Sequence, residues 1–92
     1  MMKRYHLLVS GRVQGVGFRY TASHLADLYN LTGWVKNRYD GDVEMEIQGD
    51  PGNMAYFLDK LKTQSRWIRI DRIDKKEIPC DDHETVFHVR FS

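Results

Sequence analysis

The sequence predicts an α+β domain in which an antiparallel-rich sheet carries two helices on one face. Strand-like and helix-like segments follow one another in the order β-α-β-β-α-β, with one further strand at the end. An Asp-Gly turn joins two of the strands, and the strand after that turn alternates between apolar and polar side chains. Such alternation leaves one sheet face in water, so both helices are expected to cover the other face.

The first predicted strand is the run Tyr5–Val9, in which apolar residues occupy both alternating sets, as in a central strand. The stretch Gly11–Arg19 follows and has three glycines within seven residues. Glycines permit a tight turn that points several backbone N–H groups into one concavity. A helix is predicted to begin near Arg19. A site for a phosphate-like dianion is therefore predicted here, formed by the backbone N–H groups, the helix dipole and the Arg19 guanidinium.

The first helix is predicted from a single apolar stripe, which consists of Phe18, Ala22, Leu25, Ala26 and Tyr29. Asn30 and Gly33 provide the signals that end it. The second strand is predicted over residues 33–38, because aromatic and β-branched residues lie at its centre.

Residues 39–42 contain Asp40-Gly41, a strong signal for a hairpin between two strands. The third strand follows directly and alternates apolar with polar side chains: Val43, Met45 and Ile47 against Glu44, Glu46 and Gln48. This pattern predicts one packed face and one wet face.

The second helix is predicted at Asp50-Pro51, an N-cap residue followed by proline at the first helical position. Its apolar residues recur at helical spacing: Met54, Phe57, Leu58 and Leu61. A fourth strand with imperfect alternation is predicted over residues 67–73. The segment 74–84 is charged and is broken by Pro79, and residues 87–91 are predicted to form a terminal strand.

These elements fit the split β-α-β plan, also called ferredoxin-like. In that plan the first two strands are joined through a helix and run parallel, so their carboxyl ends lie at the same edge of the sheet. Asn37, near the end of the second strand, is therefore expected on the same side as the glycine-rich stretch.

Composition limits the classes of function. The 92 residues, 41% of them hydrophobic, suffice for one core, so residues 1–92 are expected to form a single domain. The 14 basic and 13 acidic side chains nearly balance, unlike those of duplex DNA-binding proteins. Cys80 is the only cysteine, and the sequence has neither a signal-peptide pattern nor a run of eighteen apolar residues. A reduced, cytoplasmic protein without membrane or nucleic-acid partners is expected.

Two stretches carry a family resemblance. Residues Val9–Arg19 resemble the first signature of the acylphosphatase family. The second signature is matched by Gly33–Asn37 and by the spaced residues Gly41, Val43 and Gly49. The resemblance covers residues 5 to about 62 and is weaker at Thr63–Trp67. It implies a ferredoxin-like enzyme that hydrolyses small acyl phosphates to a carboxylate and inorganic phosphate by direct water attack, without metal or cofactor.

The match of motifs also implies roles for individual residues. Arg19 would bind the phosphoryl group, and Asn37 would orient the attacking water. The phosphoryl oxygens would be held by the backbone amides of Gln14, Gly15, Val16, Gly17 and Phe18. The chemistry agrees, because phosphoryl transfer is catalysed mainly by positioning and charge stabilisation. A carboxylate leaving group, with a pKa around 4, needs no general acid.

Two other classes of function remain open. One is a non-catalytic anion-binding module on the same scaffold, although the presence of both Arg19 and Asn37 favours the enzyme. The other is an RNA-binding domain, since RNA-recognition modules share this order of elements and stack bases on an open sheet face. Glu44 and Glu46 on that face would repel a phosphate backbone.

The remaining candidate residues are given simpler interpretations. Phe18 and Trp34 are interpreted as packing residues, because a small core needs aromatic area. The basic residues near the mouth of the site are interpreted as solvated charges: Arg12, Lys36 and Arg38. The four histidines have no metal-ligand spacing, so no metal site is predicted. A monomer is expected, and inorganic phosphate is expected to compete with the substrate.

Overall fold

The structure is a computed structural model that describes residues 1–91. Its elements in chain order are β1 (Lys3–Arg12), α1 (Phe18–Leu28), β2 (Thr32–Asn37), β3 (Val43–Gly49), α2 (Pro51–Thr63), β4 (Arg69–Ile78) and β5 (Phe87–Arg90). The predicted order of elements is therefore confirmed. Neither helix in this part of the chain has the length and hydropathy that a membrane span requires.

The five strands form one sheet in the order β4-β1-β3-β2-β5. Strand β3 lies between β1 and β2 and is antiparallel to both, so β1 and β2 run in the same direction. Strand β4 is antiparallel to β1, and β5 is parallel to β2. This is the predicted ferredoxin-like plan, and the carboxyl ends of β1, β2 and β5 lie at the same edge.

Both helices pack on one face of the sheet and share a single core. The largest fully buried side chains are Phe18, Phe57, Leu7, Leu25, Met45, Ile47 and Leu61. They come from α1, α2, β1 and β3, and burying each stabilises the fold by roughly 1.5–3 kcal/mol. The apolar stripes predicted for the two helices and for β3 therefore meet in this core.

The two helices begin differently, and the difference bears on function. At the start of α2, the Asp50 carboxylate accepts hydrogen bonds from the backbone N–H groups of Gly52 and Asn53, at 2.8 and 3.3 Å. At the start of α1, the N-cap residue is Gly17, which has no side chain to satisfy the first amides. Unpaired amides at a helix N-terminus are anion-binding donors.

Strand β4 differs most from the prediction, because it begins at Arg69 and continues to Ile78, five residues beyond the predicted end at residue 73. It is an edge strand whose side chains are mostly exposed, so its charges are tolerated while the backbone pairs with β1. A register shift opposite Ser10 and Gly11 lets Ile70 and Ile73 both face the core. This irregularity is the physical reason for the imperfect alternation.

The sheet face opposite the helices is less open than predicted. The buried Arg4 guanidinium, 4% exposed, donates to the carboxylates of Glu46 at 2.8 Å and Glu84 at 2.7 Å. The Gln48 side chain exchanges two hydrogen bonds with the backbone of Asp81, at 2.9 and 2.7 Å. The connection from β4 to β5 is thereby fastened across this face.

Candidate active site

Residues 13–17 form the loop between β1 and α1, which we call the glycine loop. Val13 anchors it in the core, and Gly15 and Gly17 adopt left-handed conformations with φ of 73° and 77°. No atom lies within 4 Å of the position that a Cβ would take at either glycine. These glycines are thus required by backbone conformation rather than by lack of space, and the loop is open to a ligand.

Gln14 fastens the glycine loop to the turn that follows β2. Its side-chain amide nitrogen donates to the carbonyl oxygens of Arg38 and Asp42, each at 2.8 Å. From the sequence, only the backbone amide of Gln14 was given a role, as a donor to the phosphoryl group. The side-chain role depends on a contact between residues 24 and 28 positions apart, for which the sequence pattern carries no signal.

Arg19 is the second residue of α1 and lies at the end of the helix that borders the glycine loop. Its Nη1 is 3.5 Å from the carbonyl oxygen of Arg90, and its Cζ lies 4.8 Å from the centroid of the Phe91 ring. Within residues 1–91, Arg19 takes part in no salt bridge with a carboxylate. Its charge is therefore available to an anionic ligand.

Asn37 is the last residue of β2 and is exposed. It lies in a cleft of about 570 Å³ that is lined by Lys36, Asn37, Arg38, Tyr39, Asp40, Glu44 and Phe91. The Arg19 guanidinium lies beside the ring of Phe91, which lines this cleft. The structure thus brings the predicted residues to one edge of the sheet: Gln14 links the glycine loop to the β2 end, and Phe91 links Arg19 to the cleft that contains Asn37.

The basic side chains on either side of Asn37 are paired with carboxylates. Glu44 lies 3.8 Å from Lys36 and 3.8 Å from Arg38, and its Oε2 is 2.8 Å from Nε2 of His6. The hydrogen bond from His6 lowers the pKa of the Glu44 carboxyl below its usual value. Lys36 and Arg38, which were predicted to be solvated charges, are partly exposed and also form ion pairs with carboxylates.

Asp40 belongs to the same edge and organises the turn. It accepts a hydrogen bond from the backbone N–H of Asp42 at 3.0 Å and forms an ion pair with Arg38 at 3.2 Å. The backbone hydrogen bond from Asp42 is the main reason why the pKa of Asp40 is lowered. The turn that follows Asn37 is therefore held by its own side chains as well as by Gln14.

The two aromatic residues interpreted as packing residues have different environments. Phe18 is fully buried in the core, as predicted. The core interpretation is wrong for Trp34, because strand alternation places its neighbours Gly33 and Val35 on the helix side. The Trp34 ring lies instead on the opposite face, with Lys36 Nζ 5.7 Å and Arg90 Cζ 4.7 Å from its centroid.

Comparisons with known proteins agree with this geometry. The chain matches the Acylphosphatase family model over residues 5–89. It is 45% identical over 89 residues to the acylphosphatase of Clostridium acetobutylicum, covering 97% of this chain and 98% of that protein. The crystal structure of acylphosphatase from Bacillus subtilis superposes with a TM-score of 0.89 at 36% identity, covering 99% of this chain and 100% of that chain.

The same fold also occurs inside a larger protein. The crystal structure of T. kodakarensis HypF matches 98% of this chain with a TM-score of 0.85 and 37% identity, but only 12% of the HypF chain is covered. The match to the Clostridium relative, in contrast, extends over almost the full length of both proteins. On the family model and these full-length relatives, the chain belongs to the acylphosphatase family of hydrolytic enzymes.

Proposed function

We propose that this acylphosphatase cleaves the carboxyl-phosphate bond by direct attack of water, with Arg19 and Asn37 as the side chains that contact the reacting groups. One observation carries the proposal. The Arg19 guanidinium lies at the uncapped N-terminus of α1, and it contacts Phe91, which lines the same cleft as Asn37.

The phosphoryl group is held by positive charge and by N–H donors. Residues Gln14–Phe18 supply backbone amides at the positive end of the α1 dipole, and Arg19 supplies a planar guanidinium that can donate two parallel hydrogen bonds. These donors stabilise the charge that develops on the equatorial phosphoryl oxygens. We propose that the reaction requires no metal ion, because these groups already supply that stabilisation.

Asn37 holds the attacking water. Its side-chain amide can donate and accept hydrogen bonds, and being neutral it does not repel the phosphoryl group. The leaving group is a carboxylate with a pKa around 4, so it departs without a proton donor. The products are a carboxylate and inorganic phosphate, and phosphate competes with the substrate for the glycine loop.

The wider setting is part of the same proposal. The substrate is a small molecule, because the cleft has a volume of about 570 Å³. Residues 1–92 are taken to form one domain. The nearly balanced charge and the single Cys80 support a reduced cytoplasmic location. The expected state in solution is a monomer.

The test is hydrolysis of benzoyl phosphate, in the presence of a chelator, by the wild type and by Arg19→Ala and Asn37→Ala. Each variant should lose at least about 10²-fold in kcat while its circular dichroism stays that of the wild type. Two control variants match the substitutions at remote positions: Arg72→Ala on the exposed edge strand and Asn53→Ala in α2. Both should keep the wild-type rate.

The outcomes separate the alternatives. Full activity of a folded Arg19→Ala or Asn37→Ala protein would overturn the assignment of the site. A chelator effect that a divalent metal reverses would contradict the metal-free reaction. A folded wild type without turnover would favour the non-catalytic anion-binding module.

A further inference from the structure

Phe91 follows β5 directly, and its ring is adjacent to the candidate active site. In the parallel register of β2 and β5, Arg90 lies opposite Lys36, so Phe91 is carried to the level of Asn37. The Phe91 side chain is 75% exposed, as several other large apolar side chains of this fold are. Core packing therefore does not account for its position.

The contacts between this segment and Arg19 are of two kinds. The Arg90 carbonyl oxygen accepts a hydrogen bond from Nη1 of Arg19 at 3.5 Å, and the Phe91 ring covers the guanidinium with 4.8 Å between Cζ and the ring centroid. A guanidinium is attracted to the face of an aromatic ring, and this contact restricts its rotation. Two adjacent residues thus both hold the Arg19 side chain.

The orientation matters because Arg19 lacks the partners that hold the other basic residues of the site. Lys36 and Arg38 are each paired with Glu44, whereas within residues 1–91 Arg19 makes its side-chain hydrogen bond to a backbone carbonyl. Where no carboxylate among residues 1–91 holds it, an exposed arginine samples many rotamers, and ordering it on substrate binding reduces the affinity. A stacked aromatic ring orders the guanidinium and leaves its positive charge unneutralised.

We infer that Phe91 is a positioning residue for the phosphoryl-binding arginine: its ring preorganises the Arg19 guanidinium so that the remaining N–H groups face the glycine loop. Phe91 does not take part in bond making or breaking. The inference rests on the proposed function of Arg19 and deepens it, because it assigns the C-terminal end of β5 to the phosphoryl-binding site.

The experiment compares Phe91→Ala, Phe91→Leu and Phe91→Tyr. Phe91→Leu keeps apolar volume without an aromatic face, and Phe91→Tyr keeps the face. Binding of inorganic phosphate is measured by titration, and kcat/KM by benzoyl phosphate hydrolysis. Phe91→Ala and Phe91→Leu should weaken phosphate binding and lower kcat/KM by about 3- to 10-fold, whereas Phe91→Tyr stays within about twofold of the wild type.

A matched control is available in the connection between α2 and β4. The Arg66 guanidinium covers the Trp67 ring at the same 4.8 Å separation, and Trp67 is also exposed. Trp67→Ala should leave both readouts unchanged. The mobility of the Arg19 side chain, followed through its Nε–H resonance, should rise in Phe91→Ala and Phe91→Leu and not in Trp67→Ala.

The readouts distinguish failure of this inference from failure of the proposed function. Wild-type phosphate affinity and unchanged Arg19 mobility in Phe91→Ala would overturn the positioning role, and so would wild-type behaviour of Phe91→Leu. Absence of turnover in the wild type would instead contradict the proposed function. Phosphate binding and Arg19 mobility still test the role of Phe91 in that case.

Discussion

The side-chain nitrogen of Gln14 lies 2.8 Å from the carbonyl oxygen of Asp42. The same nitrogen is 2.8 Å from the carbonyl oxygen of Arg38, and these two residues are themselves joined by a backbone hydrogen bond of 2.9 Å. One side chain therefore sets the separation between the glycine loop and the end of the strand that carries Asn37. Few neutral side chains can donate to two carbonyls from one atom.

Replacing Gln14 should separate the two halves of the site. We expect Gln14→Ala to lower kcat/KM by about tenfold and the free energy of unfolding by about 1–2 kcal/mol, since two hydrogen bonds are lost. Gln14→Glu should be worse, because a carboxylate cannot donate and places negative charge beside an anion site. Steady-state kinetics and urea unfolding measure both effects. Gln64→Ala, at the exposed end of α2, is the control, and equal effects at both positions would contradict this role.

Arg19→Lys tests whether shape matters beyond charge. Lysine keeps the positive charge, but it loses the planar fork that can bind a phosphoryl group through two parallel hydrogen bonds and stack on Phe91. We expect kcat/KM to fall by at least about 10²-fold, with circular dichroism unchanged. A lysine variant within threefold of the wild type would show that a point charge is sufficient.

Removing the buried Arg4 should be strongly destabilising. Arg4→Met would leave the partly buried carboxylates of Glu46 and Glu84 without their partner. We expect the free energy of unfolding to fall by about 3–5 kcal/mol, as for other broken buried ion pairs. Arg72→Met removes an exposed arginine that pairs with Asp74 at 2.9 Å, and it should change stability by less than about 1 kcal/mol. Similar losses in the two variants would mean that burial does not decide the effect.

The acid side of the stability profile should depend on Glu44. The hydrogen bond from His6 lowers the pKa of Glu44 from its ordinary value of 4.5, so the folded state favours the ionised form. The ionised Glu44 carboxylate therefore contributes to the free energy of unfolding above pH 4.5, and this contribution is lost as the pH falls through the lower pKa of the folded state. Glu44→Gln should therefore be less stable than the wild type near neutral pH and should approach wild-type stability as the pH falls below the lowered folded pKa. A stability difference that does not change with pH would rule out this linkage.

Much of the fold could be predicted because its signals are local. The N-cap at Asp50, the turn at Asp40-Gly41 and the alternation in β3 each depend on residues within a few positions of one another. The connection of β1 to β2 through α1 predicted that the two strands run parallel, with their carboxyl ends at the same edge of the sheet. Asn37 was therefore expected at the edge that carries the glycine loop, where the structure places it. The family resemblance then suggested roles for Arg19 and Asn37 that local patterns could not, and these roles stay predictions.

The errors have a common physical origin in contacts that are distant in the sequence. Strand β4 continues past residue 73 because its backbone pairs with β1 there. The pattern of charged residues in β4 does not reveal whether a partner strand is present. Trp34 was assigned to the core on aromatic content alone, although its face is set by alternation with Val35. The contacts made by Gln14 and Phe91 likewise could not be predicted without the fold, since each joins residues more than twenty positions apart.

The sheet order has a consequence for how the chain folds. Of its four strand pairings, only β2–β3 joins consecutive strands through a short turn, and the pairing of β1 with β4 brings Arg4 to Ile78, 74 positions later. Closing such long loops is slow, so folding in milliseconds to seconds is expected, with the β2–β3 hairpin as the element that can form first. That hairpin carries Asn37, whereas the glycine loop arrives only when β1 inserts beside β3. We therefore expect the two halves of the proposed site to meet late in folding, so that a partly folded chain does not bind phosphate.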